Sequence, residues 1–360
     1  MTNFISQLTN EINSNFELSN AHRAHQMRYI FRKCAEAGYT ASQMRRIAQD
    51  VLQYNNAGAV YNVWNKWNES RNGATTTATP AQPTTPAQPT AQPVAVDYNA
   101  FTFGVEFEGG FKSTGSIDIM LAMVRDRGLQ IIDNRLQADH TDHNDAWKVV
   151  YDSSINDFAE TCEIVSPVLC GENGWYQLLT MCEIFARVGF GVNRSCGTHV
   201  HIGCRDEEWA TIASVAVTYN NAYTAYESIV APSRRGAGRW CKPYSPVDIA
   251  KIANSVRSSD VFLGDGPCAD VSRTTSHYAR SRYHAVNLTA YYQRKTIEFR
   301  QHGGTVEFEK ISHWIMDKME LITWCRSNRL TEPVTDVRRA PWMSAGTRLY
   351  FTARAMWFAR

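Results

Sequence analysis

The chain has 360 residues, 44% of them hydrophobic, enough for one large domain plus a small one that fold without covalent staples. Its 37 Lys plus Arg against 35 Asp plus Glu leave a formal charge of +2, which argues against nucleic acid or a membrane surface as a partner recognised by bulk charge. Nine cysteines without a CxxC pair, an N-terminus without the basic-then-apolar layout of a secretion signal, and no apolar run near the roughly 18 residues of a membrane span predict a cytoplasmic chain with reduced thiols.

Residues 1–72 read as a small helical module. Ser19 or Asn20 can cap a helix carrying Met27, Ile30, Phe31 and Cys34 on one side and stopping at Gly38. Thr40 and Gln43 have capping-box spacing for the next helix, through Met44, Ile47, Val51 and Leu52. A third segment holds Val60, Val63, Trp64 and Trp67. This spacing predicts a three- or four-helix bundle whose apolar stripe is core, and whose role is targeting or binding a protein partner. Residues 73–97 form an Ala/Thr/Gln/Pro linker in which TPAQPT occurs at 79–84 and again at 85–90. Such a segment has nothing to bury and favours extended, polyproline-like conformations.

From residue 98 to 330 the pattern changes to short alternating strands and longer helices, an α+β mixture. Helices are expected through 116–127, 173–188, 206–230, 246–257 and 308–327, the first ending near Gly128 and the second at Gly189. Residues 331–360 form a basic extension, with Arg338, Arg339, Arg348, Arg354 and Arg360 against Glu332 and Asp336. It reads as a solvated tail or a docking segment.

Three strands carry chemistry. In Phe101–Glu108, Phe101, Phe103, Val105 and Phe107 fall on one face, leaving Glu106 and Glu108 together on the other. Their repulsion must be relieved by protonation, by basic partners or by a hard divalent cation, and the flanking Gly104, Gly109 and Gly110 leave room for backbone or ligand. In Thr198–Gly203, His199 and His201 share a face after Cys196-Gly197, suggesting a metal or phosphate site. In Thr296–His302, Ile297 and Phe299 turn inward and Glu298, Arg300 and His302 form a row. The Arg300 fork matches a carboxylate or phosphate, though a plain salt bridge with Glu298 is the simpler alternative. Between these lie weaker segments: Trp147–Ser154 offers Lys148 and Asp152, and Cys162–Pro167 offers Glu163.

In this order, FGVEFEG, WKVVYDSS, EIVSPVL, CGTHVHIG, RYHAVNL and TIEFRQHGGT resemble the signature segments of the amidoligase family, within the carboxylate-amine ligase superfamily of glutamine synthetase and glutamate-cysteine ligase. The resemblance spans roughly residues 101–330 and is silent on residues 1–96. It implies a glutamine synthetase-like fold, an antiparallel sheet curved into a funnel with packed helices. It implies ATP and Mg²⁺ or Mn²⁺ as cofactors, with Glu106, Glu108, Glu163, His199 and Glu298 as metal ligands. By the same resemblance, His201, Arg282, Lys148 and Arg235 contact phosphate or a substrate carboxylate, and Arg234 with Arg235 resembles a mobile phosphate-sensing loop. Asn287 and His302 line the substrate end. Arg300 and Glu298 serve the reaction, and Asp152 is the candidate base. Thr198 departs from the family pattern, where a larger apolar residue is usual.

The implied activity is ATP-dependent joining of a carboxylate donor to an amine acceptor through an acyl phosphate, with a peptide or protein among the candidate substrates. Family members occur in phages and bacteria, so the host cytoplasm is the expected location if a phage encodes this chain. Two other readings stay open at this point. A zinc-dependent hydrolase could use the HxH strand with His140 and His143 as further ligands. A non-catalytic binding protein could keep the ligase fold.

Overall fold

The structure is a computed structural model that describes residues 2–14, 23–37, 41–52, 95–135, 145–236, 238, 240–274 and 279–359. Its contacts divide the chain into Met1–Ala87 and Gln88–Arg360. The expected segment with Val60, Val63, Trp64 and Trp67, most of the linker, the caps at Ser19, Asn20 and Thr40, and the histidines at 140 and 143 lie outside the described residues.

In the first unit, α1 (Thr2–Ser14), α2 (Arg23–Glu36) and α3 (Ala41–Leu52) bury one shared stripe. Met27, Ile30, Phe31 and Cys34 of α2 recur at helical spacing and meet Ile47, Ala48, Val51 and Leu52 of α3 and Leu8 and Ile12 of α1. Tyr29 adds a tie by donating to the Glu11 carboxylate at 3.1 Å.

The second unit is built on one sheet. Its elements in chain order are β1 (Thr102–Phe111), α4 (Ser116–Asp126), β2 (Ile131–Asp133), β3 (Trp147–Val150), β4 (Glu160–Val165), β5 (Leu169–Cys170), α5 (Gly171–Val188), β6 (Thr198–Gly203), α6 (Trp209–Asn221), α7 (Tyr223–Glu227), α8 (Pro246–Asn254), α9 (Ser259–Phe262), β7 (Val286–Asn287), α10 (Thr289–Arg294), β8 (Thr296–Phe299), α11 (Phe308–Cys325) and α12 (Ala345–Phe358). Short 3-10 turns intervene, including Pro232–Arg234 and Arg280–Tyr283. No helix among the described residues is long and apolar enough to cross a membrane.

The strand order is β2-β3-β4-β1-β6-β8-β7, with β5 paired to the start of β1. This corrects the expectation of an antiparallel sheet curved into a funnel. The sheet is mixed, because β2 and β3 run parallel, and it is open, with β2 and β7 as unjoined ends of the path. The edges explain why it stays open: β2 has three residues and β7 two, too few ladder bonds to carry the pairing further.

β1 lies centrally because its core face is almost wholly aromatic and branched. Phe103, Val105, Phe107 and Phe111 are each at most 2% exposed, and Phe107 meets Phe185 of α5 edge-on at 5.1 Å. Gly109 and Gly110 do not leave the space for a ligand that their sequence position suggested, whereas a Cβ at Gly104 would meet only ordinary contacts, 3.5 Å from Ser166 Oγ and 3.8 Å from His201 Cβ. A Cβ at Gly109 would stand 2.5 Å from the Phe190 ring, and one at Gly110 would stand 2.7 Å from that of Phe158. Those rings, with the Gly191 and Glu160 carbonyls, have taken that room.

The helices follow their sequence signals with one break. α5 ends at Gly189, in the left-handed region at φ 71°, where glycine carries no Cβ penalty. α4 starts under the Glu160 carboxylate, which accepts from the backbone N–H groups of Gly115, Ser116 and Ile117. The single long helix expected over 206–230 is two, α6 and α7, separated at Ala222 with φ −100°.

The C-terminal residues are not a solvated tail. Val337, Trp342, Met343 and Phe351 are buried in the same core as the sheet. Two of their arginines donate to internal carbonyls, Arg348 to Met343 and Arg354 to Ile229. Beneath them Lys318 of α11 is 0% exposed, paired with Asp317 and enclosed by Trp314 and Tyr226 at 3.5 and 3.8 Å from their ring centroids. Tyr226 and Trp342 donate to the two oxygens of Asp317, at 2.7 and 2.9 Å.

Candidate active site

Strand register builds the site. On the face opposite the aromatic core, Glu106 of β1 stands across from His199 of β6, and Glu108 across from Glu163 of β4. One rung further, His201 stands across from Glu298 of β8, which faces Asn287 of β7. Directly opposed residues share a face, so four ladders bring these seven side chains together. Lys148 of β3 shares that face through Val165, the partner of both Lys148 and Glu106.

The contacts are short. His199 Nδ1 lies 3.0 Å from Glu106 Oε2 and 3.6 Å from Glu298 Oε1. His201 Nε2 lies 3.0 Å from Glu106 Oε1. Asn287 donates to Glu298 Oε2 at 2.5 Å, and Arg300 pairs with Glu298 Oε1. Glu108 Oε2 accepts from the Gly197 N–H at 2.5 Å and stands 3.7 Å from Arg234 Nη2.

Burial sets the electrostatics. Burial alone would raise Glu106, yet the charges and hydrogen bonds of His201 and His199 hold its carboxyl well below the usual range. Glu298 is also buried and is held low by Arg300 and His201. Glu163 goes the other way: burial, then the nearby Glu106, Glu108 and Asp152 charges, push it well above the ordinary carboxyl value. Burial opposes the charge on His201 and Arg300, but the glutamates outweigh it and raise both.

This donor set fits a hard divalent cation. Glu106, Glu163 and His199 offer ligand atoms within 4.8 Å of one another, and so do Glu106, His201 and Glu298. Glu106 belongs to both groups. His199 Nε2 is buried without a hydrogen-bond partner, 3.4 Å from Glu108 Oε1. A buried polar atom left in that state is costly, and a cation beside the carboxylates would relieve it together with the Glu163 repulsion.

Other residues named from the sequence fall at the margin or elsewhere. Asp152 Oδ1 accepts from the Ser154 N–H at 2.7 Å, and its charge reaches Glu163. Arg282 stands 5.5 Å from the Tyr283 ring centroid. Of the arginine pair in the loop, Arg234 enters the site, 4% exposed. Arg235 turns away, donating to the Val230 carbonyl at 3.1 Å and lying 4.9 Å from the Phe358 ring. His302 does not continue the row of Glu298 and Arg300, because β8 ends at Phe299. Its ring packs 5.1 Å from Trp314 and its Nδ1 donates to the Gly303 carbonyl.

Two contacts that residue type could not reveal are backbone ones. The Gly197 N–H holds Glu108, and the Trp240 carbonyl accepts from Arg300 Nε at 3.4 Å. The only trace of the first was a glycine before the HxH strand. A Cβ there would stand 2.7 Å from Arg234 Nη2 and 2.9 Å from His199 Nε2. Thr198 is 1% exposed and accepts from the Thr305 N–H at 3.1 Å.

Residues 99–322 match a family model described as "Putative amidoligase enzyme". The chain belongs to the amidoligase family. No curated protein matches it. The matched span of this amidoligase begins just before β1 and ends inside α11, so it contains every strand among the described residues and all the clustered carboxylates and imidazoles. Membership in a family of enzymes supports catalysis by this unit, and the two ligand groups give it candidate metal sites. The α1–α3 unit and α12 lie outside the match.

Proposed function

We propose that the protein is an ATP-dependent carboxylate-amine ligase that forms an amide through an acyl phosphate. The observation that carries this reading is Glu106, common to two ligand groups, on the same face as a carboxylate held by Arg300. Carboxylate-rich groups favour Mg²⁺ or Mn²⁺ over zinc, which prefers imidazole and thiolate. Glu106, Glu163 and His199 would hold one cation and Glu106, His201 and Glu298 a second, with Glu108 beside His199. Bound there, divalent cations would supply positive charge to the phosphoryl oxygens.

The chain's own groups do the rest. Arg300, charged and buried, orients the donor carboxylate for attack on the γ-phosphorus of ATP, with ADP leaving. Lys148, Arg234 and Arg282 supply further positive charge for phosphate. The amine nitrogen then attacks the acyl carbon, phosphate departs, and Asp152 takes the proton the nitrogen must lose. Asn287 keeps Glu298 oriented at the substrate end. The helical unit, outside the family match, binds a protein partner and directs the ligase to a peptide or protein acceptor.

The test is incubation of the purified protein with ATP, Mg²⁺ and a cell extract, followed by mass spectrometry. The expected result is ADP release together with a product lighter than its two parents by one water. Absence of ATP affinity in the presence of Mg²⁺ would sink the reading in favour of a binding protein.

A further inference from the structure

Arg300 is tied by backbone hydrogen bonds to two segments that each present an aromatic ring. Its own N–H donates to the Ala285 carbonyl at 2.9 Å, and the Ala285 N–H donates to the Lys242 carbonyl at 2.8 Å. The Lys242 N–H in turn donates to the Tyr283 carbonyl at 3.2 Å, and Arg300 Nε donates to the Trp240 carbonyl. The backbones of Trp240 and Tyr283 are thereby linked to Arg300, and their rings stand against each other with centroids 5.0 Å apart and planes at 76°. Trp147, Trp314 and Trp342 are each at most 2% exposed, whereas Trp240 is 36% exposed. An indole that is braced edge-on by a second ring and open to solvent, in a residue whose own carbonyl holds a buried guanidinium, is suited to receive an apolar group.

We propose that Trp240 and Tyr283 form the wall that selects the carboxylate substrate, by taking an aromatic or branched aliphatic group carried next to its reacting carboxylate. The proposal rests on the reading of Arg300 as the carboxylate anchor. Proximity favours the donor over the nucleobase of ATP. The Trp240 backbone touches Arg300 itself, the distance at which a donor's own side chain lies. A nucleobase is separated from the transferred phosphoryl group by a ribose and two more phosphates. The ligand is defined by this chemistry, whether it comes from a free amino acid or from a peptide terminus.

The test is ligand-observed NMR on the full chain with Mg²⁺, using phenylacetate and acetate as probes, and a non-hydrolysable ATP analogue in a separate titration. Wild type is expected to bind phenylacetate at least about tenfold more tightly than acetate, and Trp240→Ala to lower that ratio about tenfold. Trp240→Phe should keep most of it. Equal binding of the two probes by wild type would overturn the proposal without recourse to any variant. So would a ratio unchanged in Trp240→Ala, and if the ATP analogue alone weakens the wall belongs to the nucleobase. A preference for phenylacetate in a protein that releases no ADP with any donor would leave the wall standing and defeat the ligase reading instead.

Discussion

Glu106 and His199 face each other across the β1–β6 ladder, with Oε2 3.0 Å from Nδ1. Both ligand groups of the site include Glu106, and one includes both residues. Replacing Glu106 should therefore cost more than replacing any other acid. Glu106→Gln keeps the volume and removes the charge that two imidazoles share. Mn²⁺ affinity, followed by the paramagnetic signal of free ion, is expected to fall at least about tenfold, and amine-dependent ADP release at least about a hundredfold. Circular dichroism should be unchanged. Wild-type Mn²⁺ binding by this variant would remove Glu106 from the centre.

Gly197 is where the backbone, Arg234 and His199 crowd together. Gly197→Ala is expected to push Arg234 off Glu108, because the new Cβ would stand 2.7 Å from its Nη2. Activity should drop about tenfold or more while the thermal midpoint moves little, a split that steady-state kinetics and calorimetry on one preparation would reveal. A large loss of stability with normal turnover in the folded fraction would assign the glycine to folding alone.

His302 makes stability depend on acid. Burial pushes its pKa down from 6.5 to about 3, so the unfolded chain takes up a proton as pH falls through 6.5 and the folded chain does not. Stability from this residue is full above 6.5 and is lost on the way down to about 3. The loss by roughly pH 4 is on the order of 3 kcal/mol. His302→Phe, beside Trp314, should flatten urea-unfolding free energies between roughly pH 6.5 and 4 relative to wild type. Parallel pH profiles for the two proteins would show that the imidazole is not held neutral.

Lys318 and Asp317 form an ion pair with no solvent access on either side chain. Lys318→Met fills much of the same space but leaves Asp317 with only the Tyr226 and Trp342 donors. It should lower unfolding free energy by about 3 kcal/mol, measured in urea. Asp317→Asn combined with Lys318→Met should recover part of that loss. A neutral single variant would mean that the cage of rings, not the charge pair, stabilises this region.

The sequence by itself determined the chemistry within each strand. A period of two is local, so Glu106 with Glu108, His199 with His201, and the apolar residues between them could be assigned to faces from their spacing. The stop of α5 at Gly189 was legible for the same reason, because only one or two backbone angles decide it. Tertiary structure decided the neighbours. The Glu106–His199 contact joins residues 93 positions apart, and nothing in either strand says which edge of β1 the other will occupy. That choice follows from how the rings of Phe103, Phe107, Phe185 and Trp147 pack in the core. It also set the open, mixed sheet in place of a funnel, chose Arg234 over Arg235 for the site, and turned His302 toward Trp314. Backbone groups such as the Gly197 N–H and the Trp240 carbonyl are present in every residue alike. Only folding, by removing water and fixing their direction, made these two part of the site.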